Sequence, residues 1–558
     1  MKNNFPLRRL GRLLLFGFGA ALLGLGAALA APEPPPPNPL QTILAQRFTG
    51  DRSGACLLAA LIEGPRVQQA RVCAQARAGG HEPGYDSLFE IGSISKTMTA
   101  FLVAELIQQG RWSLDDPIAK HLPQGTPMPR QGERQILVRD LLTHRSGLPA
   151  LPPGFAPKNP FDPYADLSEA QLLAALGQVR LERPIGSQFE YSNFAMMLVS
   201  AAVARSSSGG DFEQAMVRLF EPLQMRSAFI ATPREPKAPL AQGHLPTGQV
   251  TPAWTITPNL AGVGMVRASL DDMTRYAQAQ LGLLPQLAPE LQAALTMTQQ
   301  ALNEHSGMSW MRVSHQGRTL LTHEGGTGGF SSLLMLEPAA GRALVLLADT
   351  ALTDLGGLGD VGSALLGLSE QQALRPRLKL AAPPDLLAAL PGPYEISGMK
   401  ARLWLDGAQL MAQVEGQAAF ALDYDSWGDF YPRHISALLR PVFQNGKVEH
   451  ALWQQGGGVL ELRRLGSLSA TKASDPRWQE LVGEYQLMPQ FSLRVFEDAG
   501  QLKVQATGQP AIAAELSGPD RIEIKAVGAI VEFKRDGQGQ LRSAVLLQGG
   551  QKIEGLRK

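Results

Sequence analysis

The sequence predicts a mixed α/β chain of the α+β kind: an antiparallel sheet flanked by helices with a helical subdomain, followed by two small antiparallel β-barrel-like domains. Three observations carry this. The stretch from Ser93 to Gln109 is apolar almost all round and stops at Gly110, the pattern of a buried central helix. Strand-like runs lie on both sides of the helical region, at 55–77 and between Met308 and Thr350. Beyond about residue 370 the chain is nearly all short strands and glycine turns, and it repeats itself.

A chain of 558 residues is too long for one ordinary core, and 44% apolar with 18% charged residues is a globular composition. A formal net charge of +1 gives no reason to expect nucleic acid as a partner. Lys2, Arg8, Arg9 and Arg12 precede the apolar run "LLLFGFGAALLGLGAALA", which ends in Ala28-Leu29-Ala30. Residues 1–30 are therefore expected to be a signal peptide, cleaved after Ala30. The alternative is an uncleaved anchor, which would be the protein's only membrane contact. Either way the body is expected outside the cytoplasm, secreted or periplasmic. Without those residues the charge balance is 47 minus 50, or −3.

Residues 31–39 form a Pro-rich spacer, and 40–48 a short helix candidate. The segment "GACLLAALIEGPRVQQARVCA" then reads as two strands around a turn at Gly64-Pro65. Opposed positions about that centre sum to 129, and so do the numbers of the chain's two cysteines, Cys56 and Cys73. Facing each other across an antiparallel pair in an oxidising compartment, they are expected to form a disulfide; two half-buried thiols are the alternative. Two cysteines without a His-x-x-x-His pair do not suggest a metal site.

Past the apolar helix, "SEAQLLAALGQV" and "DFEQAMVRLF" carry capping-box residues at Ser168/Gln171 and Asp211/Gln214. Between Met308 and Thr350 the texture returns to strands, which closes a first domain over 40–370. Residues 371–384 read as a linker, 385–466 as a first β-domain, 467–475 as a second linker and 476–558 as a second β-domain repeating the first. The repeat shows in "LPGPYEI" against "LVGEYQL", and in "GAQLMAQVEGQ" against "GQLKVQATGQ".

Ser-x-x-Lys places a hydroxyl and an amine one helical turn apart, so that the amine can take the hydroxyl proton. The pattern occurs at Ser93/Lys96, Ser397/Lys400 and Ser469/Lys472, and only the first stands at the mouth of the apolar helix. There the unpaired N–H groups favour negative charge. Tyr191-Ser192-Asn193 is the only Tyr-x-Asn among eight tyrosines. In an extended segment its phenol and amide point the same way; a helix cap is the plainer alternative. His-x-Gly occurs at His305, His315 and His323, but only His323-Glu324-Gly325 ends an apolar strand, followed by glycines that would let a substrate lie against the backbone. The run Gly357-x-Gly359-x-x-Gly362 lacks the βαβ setting and acidic residue of a dinucleotide site.

Ser-x-x-Lys, Tyr-x-Asn and His-x-Gly in this order resemble the serine β-lactamase and penicillin-binding-protein superfamily, specifically its class C-like branch. That branch holds class C β-lactamases, DD-carboxypeptidases/endopeptidases, D-aminopeptidases and certain esterases. The segments "LFEIGSISKTMTAFLVAELIQQGRWSLDDPIAKHLP", "VRDLLTHRSGLP", "LFEPLQM" and "AGVGMVRASLDDM" share its texture, so the resemblance covers about 40–370. It implies the β-lactamase/transpeptidase-like fold, with Ser93 as nucleophile, Lys96 as its partner and Tyr191 as general base or proton relay. It further implies Asn193, His323 and Gly325 as substrate-binding residues and the N–H groups of Ser93 and Gly326 as the oxyanion hole.

With the signal peptide expected at residues 1–30, the resemblance implies an exported serine hydrolase acting through an acyl-enzyme on D-amino-acid peptides or esters. The peptide activities would be of DD-carboxypeptidase/endopeptidase or D-aminopeptidase type. The alternatives are a class C-like β-lactamase and a non-turnover receptor for penicillins or muropeptides. Expected partners are a small peptide, ester or β-lactam substrate, and peptidoglycan; no metal or organic cofactor is implied. Where class C β-lactamases usually carry Lys-Thr-Gly, this chain has His323-Glu324-Gly325. Histidine is mostly neutral at pH 7, which is poorly suited to the carboxylate of penicillins. If His323 binds a substrate carboxylate, affinity is expected to fall as pH rises through its titration.

Overall fold

In the computed structural model the described residues run from 38 to 558, apart from 76–81, 235–236, 370–373, 445–446, 456–457, 466–475, 489–490, 499–500, 508–510, 525–526, 528 and 549–550. The expected signal peptide, most of the Pro-rich spacer and the 467–475 linker lie outside them. Among the described residues no helix is long and apolar enough to cross a membrane.

The first domain is built on a six-stranded sheet of β1 (Cys56–Glu63), β2 (Arg66–Cys73), β3 (Met311–His315), β4 (Arg318–Gly326), β5 (Ser331–Glu337) and β6 (Arg342–Ala348), in the order β2-β1-β6-β5-β4-β3. Every neighbouring pair is antiparallel. Most of the helical residues are inserted between β2 and β3. The central strands are apolar at consecutive positions because both faces of the sheet are covered. Leu58, Ala60, Ile62, Val345 and Leu347 face a core shared with the helical side, where Ser95–Gln108 (α1) and Asn193–Ser206 (α2) are buried along most of their length. Leu57, Ala59, Leu344 and Leu346 point the other way, into a second core capped by helices Pro39–Phe48 and Gly359–Leu365. At the sheet edge Cys56 pairs with Cys73 in register, and the two are joined by a disulfide.

Residues 374–380, expected as linker, are part of the packed structure. Lys379–Leu380 pairs with strand Phe420–Asp425 of the first β-domain. Arg377 is 2% exposed, donating to Asp425 Oδ2 at 3.1 Å and Asp429 Oδ2 at 2.7 Å, with its guanidinium 4.2 Å from the Trp427 ring. Arg52 of the first domain reaches the same Asp425 Oδ2 at 2.8 Å and lies 3.6 Å over Tyr431. Tyr431 and Leu438 join the second core. A stretch that reads as solvated because it is rich in Arg and Pro is held by carboxylates some 50 residues further on, which pair with its charges away from water.

The first β-domain is a closed antiparallel barrel in which Gly392–Ile396 pairs with both the next strand and the last, Gly458–Arg464. The second is also a nine-stranded antiparallel sheet, in which Gly483–Met488 likewise pairs with the next strand, Phe491–Asp498, and the last, Gln551–Arg557. The sequence repeat has a structural counterpart: Tyr394 and Tyr485 are both fully buried, and each hydroxyl donates at 2.8 Å to the carbonyl of the leucine four residues before it, Leu390 and Leu481.

Candidate active site

Ser93 does not lie in the helix proper. It sits in a 3₁₀ turn, Gly92–Ile94, that leads directly into α1. The three-residue offset to Lys96 survives this change, because a 3₁₀ turn also brings i and i+3 together. Lys96 is fully buried, and its Nζ lies 2.7 Å from Ser93 Oγ and 2.6 Å from the carbonyl of Val263. Burial holds the amine well below its ordinary value. Ser95, the neighbouring hydroxyl, is committed elsewhere: it donates to Gly92 O at 2.7 Å and accepts from Val266 N at 3.1 Å.

The strand side is set against Ser93 by glycines. Gly92 has φ +51°, and a Cβ there would stand 2.6 Å from Gly326 N, so the backbone of β4 lies directly against the residue before Ser93. Gly325 packs so closely on the Ile91 carbonyl and Ser332 Oγ that a side chain would overlap both. Ser332 Oγ in turn donates to Ile91 O at 2.8 Å. The N–H groups of Ser93 and Gly326 are thus brought near one another by two positions that exclude a side chain.

Tyr191 closes a third side. Lys96 Nζ lies 4.9 Å from the centre of its ring, and burial raises the phenol pKa, opposed by a hydrogen bond with Ser93. Ser192 caps α2, accepting from Ala195 N at 3.0 Å, so the segment is both a cap and a presenter of side chains. Asn193 donates through Nδ2 to Tyr164 Oη at 3.2 Å, while its buried Oδ1 has no protein partner. Tyr164 stacks on Phe155 and meets the edge of Trp254, forming an aromatic wall.

His323 is 3% exposed on β4, with its ring 6.3 Å from that of Tyr191. Its Nδ1 lies 2.8 Å from the Glu324 carbonyl, and its buried Nε2 has no protein partner. Burial and the charge of Lys96 push its pKa down to about 3. Among the described residues the other Ser-x-x-Lys and His-x-Gly matches are elsewhere. Ser397 is a turn residue with φ +50°, Ser469/Lys472 lies outside the described residues, and His315 ends the β3–β4 hairpin.

The sequence did not single out His144. It is 2% exposed with a left-handed backbone, φ +55°. Its Nδ1 accepts from Ser192 N at 3.2 Å, its carbonyl accepts from Glu190 N at 2.7 Å, and its ring lies 4.5 Å from that of Tyr191. A histidine inside "LLTHRSGLP" carries no local mark of this role; the signal is its tertiary contact with Tyr191. Among the described residues no group of three or more His, Cys, Asp or Glu side chains is arranged to hold a metal ion.

An amine stripped of water beside a serine hydroxyl, with backbone N–H groups opposite, is suited to acyl transfer. Comparison with known proteins agrees. The family model "Beta-lactamase" matches residues 43–360. The chain is 26% identical over 375 residues to "D-alanyl-D-alanine-carboxypeptidase/endopeptidase AmpH" of Escherichia coli (strain K12), which spans 62% of this chain and 94% of that protein. It is 27% identical over 340 residues to "Penicillin-binding protein 4" of Amycolatopsis lactamdurans, spanning 56% and 86%. To "Beta-lactamase" of Escherichia coli (strain K12) it is 29% identical over 232 residues, spanning 40% and 57%.

Proposed function

The chain belongs to the beta-lactamase family and is a serine hydrolase of that family, and we propose that it is exported and works through an acyl-enzyme on Ser93, cleaving D-amino-acid peptides of cell-wall type or esters. The observation that carries this is the 2.7 Å contact between a dehydrated Lys96 amine and Ser93 Oγ. Burial eases loss of the Lys96 proton, and the amine so formed keeps an N–H for the Val263 carbonyl while its lone pair can take the Ser93 proton.

Ser93 Oγ attacks the substrate carbonyl carbon as its proton passes to Lys96. The oxyanion of the tetrahedral intermediate is held by the N–H groups of Ser93 and Gly326. Collapse breaks the bond to the leaving group, which takes a proton relayed from Lys96 through Tyr191, and Ser93 is left acylated. Water, deprotonated by the same pair, then attacks the ester and releases the acid and free Ser93. Asn193 and Gly325 orient the substrate from opposite walls. Export is supported by the basic and apolar order of residues 1–30 and by the Cys56–Cys73 bond, which persists in an oxidising compartment.

A time course of intact mass with benzylpenicillin, with Ser93→Ala as control, tests the reading. A lasting adduct confined to Ser93 is expected of a penicillin-binding peptidase. Drug consumed without a lasting adduct, and spared by Ser93→Ala, identifies a β-lactamase. An adduct that survives in Ser93→Ala overturns the assignment of the nucleophile.

A further inference from the structure

His323 occupies the strand that faces Ser93, and its hydrogen bonding fixes its tautomer. A carbonyl oxygen only accepts, so the 2.8 Å contact with Glu324 O puts the proton on Nδ1. Nε2 is then the nitrogen with the lone pair. It is buried, and no protein group donates to it. The groups around the ring offer no reason for a second proton. Lys96 on α1 brings an amine and no negative charge, Tyr191 presents a ring edge-on, and His144 is another buried neutral imidazole. On its own strand, the Glu324 carboxylate is turned away, into a cradle made by Gly357 and Gly359.

We propose that His323 is a neutral hydrogen-bond acceptor, and that the enzyme therefore selects substrates presenting an N–H or O–H to this strand rather than a free carboxylate. This rests on the acyl-enzyme reading above and narrows its substrate class. It favours internal amide bonds and amidated D-amino-acid termini, whose N–H groups can donate to Nε2. A carboxylate placed against Nε2 would meet a lone pair, and to accommodate it the ring would have to gain a proton that burial opposes. The low pKa of the ring is consistent with this but secondary to the hydrogen-bond geometry.

Two measurements on the full chain test the proposal. In ¹⁵N-histidine-labelled protein, with His323→Gln assigning the resonance, the His323 ring is expected to show the neutral Nδ1–H tautomer unchanged from pH 8 to 5.5. Titration to imidazolium in that range overturns the proposal. In Ser93→Ala protein, calorimetry then compares an N-acylated D-Ala-D-Ala peptide with its C-terminal carboxamide. The carboxamide is expected to bind at least about tenfold more tightly, and His323→Lys to reverse the order. Equal or tighter binding of the carboxylate, or no binding of either peptide, overturns the substrate preference. Failure of Ser93 to acylate, with the tautomer and binding order intact, would instead remove the acyl-enzyme reading and leave the acceptor in place.

Discussion

Nδ1 of His144 accepts the backbone N–H of Ser192 at 3.2 Å, and so ties a strained residue to the segment that presents Tyr191 and Asn193. A left-handed non-glycine residue costs on the order of 1 kcal/mol or more and persists where its surroundings require it. Here the requirement is a two-point clamp, Glu190 N on the carbonyl and Ser192 N on the ring.

His144→Ala is expected to lower kcat by about ten- to a hundredfold with a smaller change in KM, because the phenol is misplaced rather than removed. His144→Asn keeps an acceptor near the Nδ1 position and tolerates the positive φ, so it should recover part of the loss. Steady-state kinetics, with circular dichroism to verify folding, separates the two. Equal damage from both would contradict the clamp.

Lys96 links activity to stability through pH. In the unfolded chain its amine holds a proton up to about pH 10.4. In the folded protein burial removes that proton at a lower pH. Between the two values the unfolded state binds more protons, so stability rises with pH and falls as pH drops, by up to about 1.4 kcal/mol per unit. Lys96→Met removes this dependence and is expected to slow acylation by about a thousandfold. Calorimetry from pH 6 to 9 should show the wild type gaining on Lys96→Met as pH rises; a constant difference in Tm would exclude a depressed amine.

Gly325→Ala tests how the strand is seated. A methyl group there collides with Ser332 Oγ and with the carbonyl of Ile91, which lies two residues upstream of Ser93. The expected cost is about 1–3 kcal/mol in stability and more than tenfold in kcat/KM, read by thermal melts and ester hydrolysis. Unchanged kinetics would mean that the strand and the serine turn are not coupled.

Asp425 holds two arginines at the boundary of the first domain and the first barrel, and none of the three is more than 5% exposed at its side chain. Asp425→Ala leaves Arg52 buried without its carboxylate, while Arg377 keeps Asp429, and is expected to cost about 3–5 kcal/mol. Faster tryptic cleavage within 374–380 would accompany the loss. An unchanged melting profile would show that Tyr431 and Leu438 alone suffice for docking.

Much of the framework was legible in local patterns. The buried helix, the strand textures and the repeat of the two β-domains depend on periodicity and turn residues, which are properties of short windows. The register that brings Cys56 opposite Cys73 followed from the turn alone, since a hairpin fixes which residues face each other. The docking of residues 374–380 was not legible, because the composition of Arg377 and its neighbours is that of a solvated linker until Asp425 and Asp429 are brought beside it.

By itself the sequence determined which hydroxyl and amine share a turn, and that a tyrosine–asparagine pair and a histidine–glycine strand end follow in order. Only the tertiary structure decided their chemistry. The Val263 carbonyl that binds Lys96 comes from 167 residues away, His144 reaches Ser192 across 48, and Ser332 reaches the Ile91 carbonyl across 241. Proton affinity depends on what excludes water from a group, and that enclosure is assembled from parts of the chain no local pattern connects.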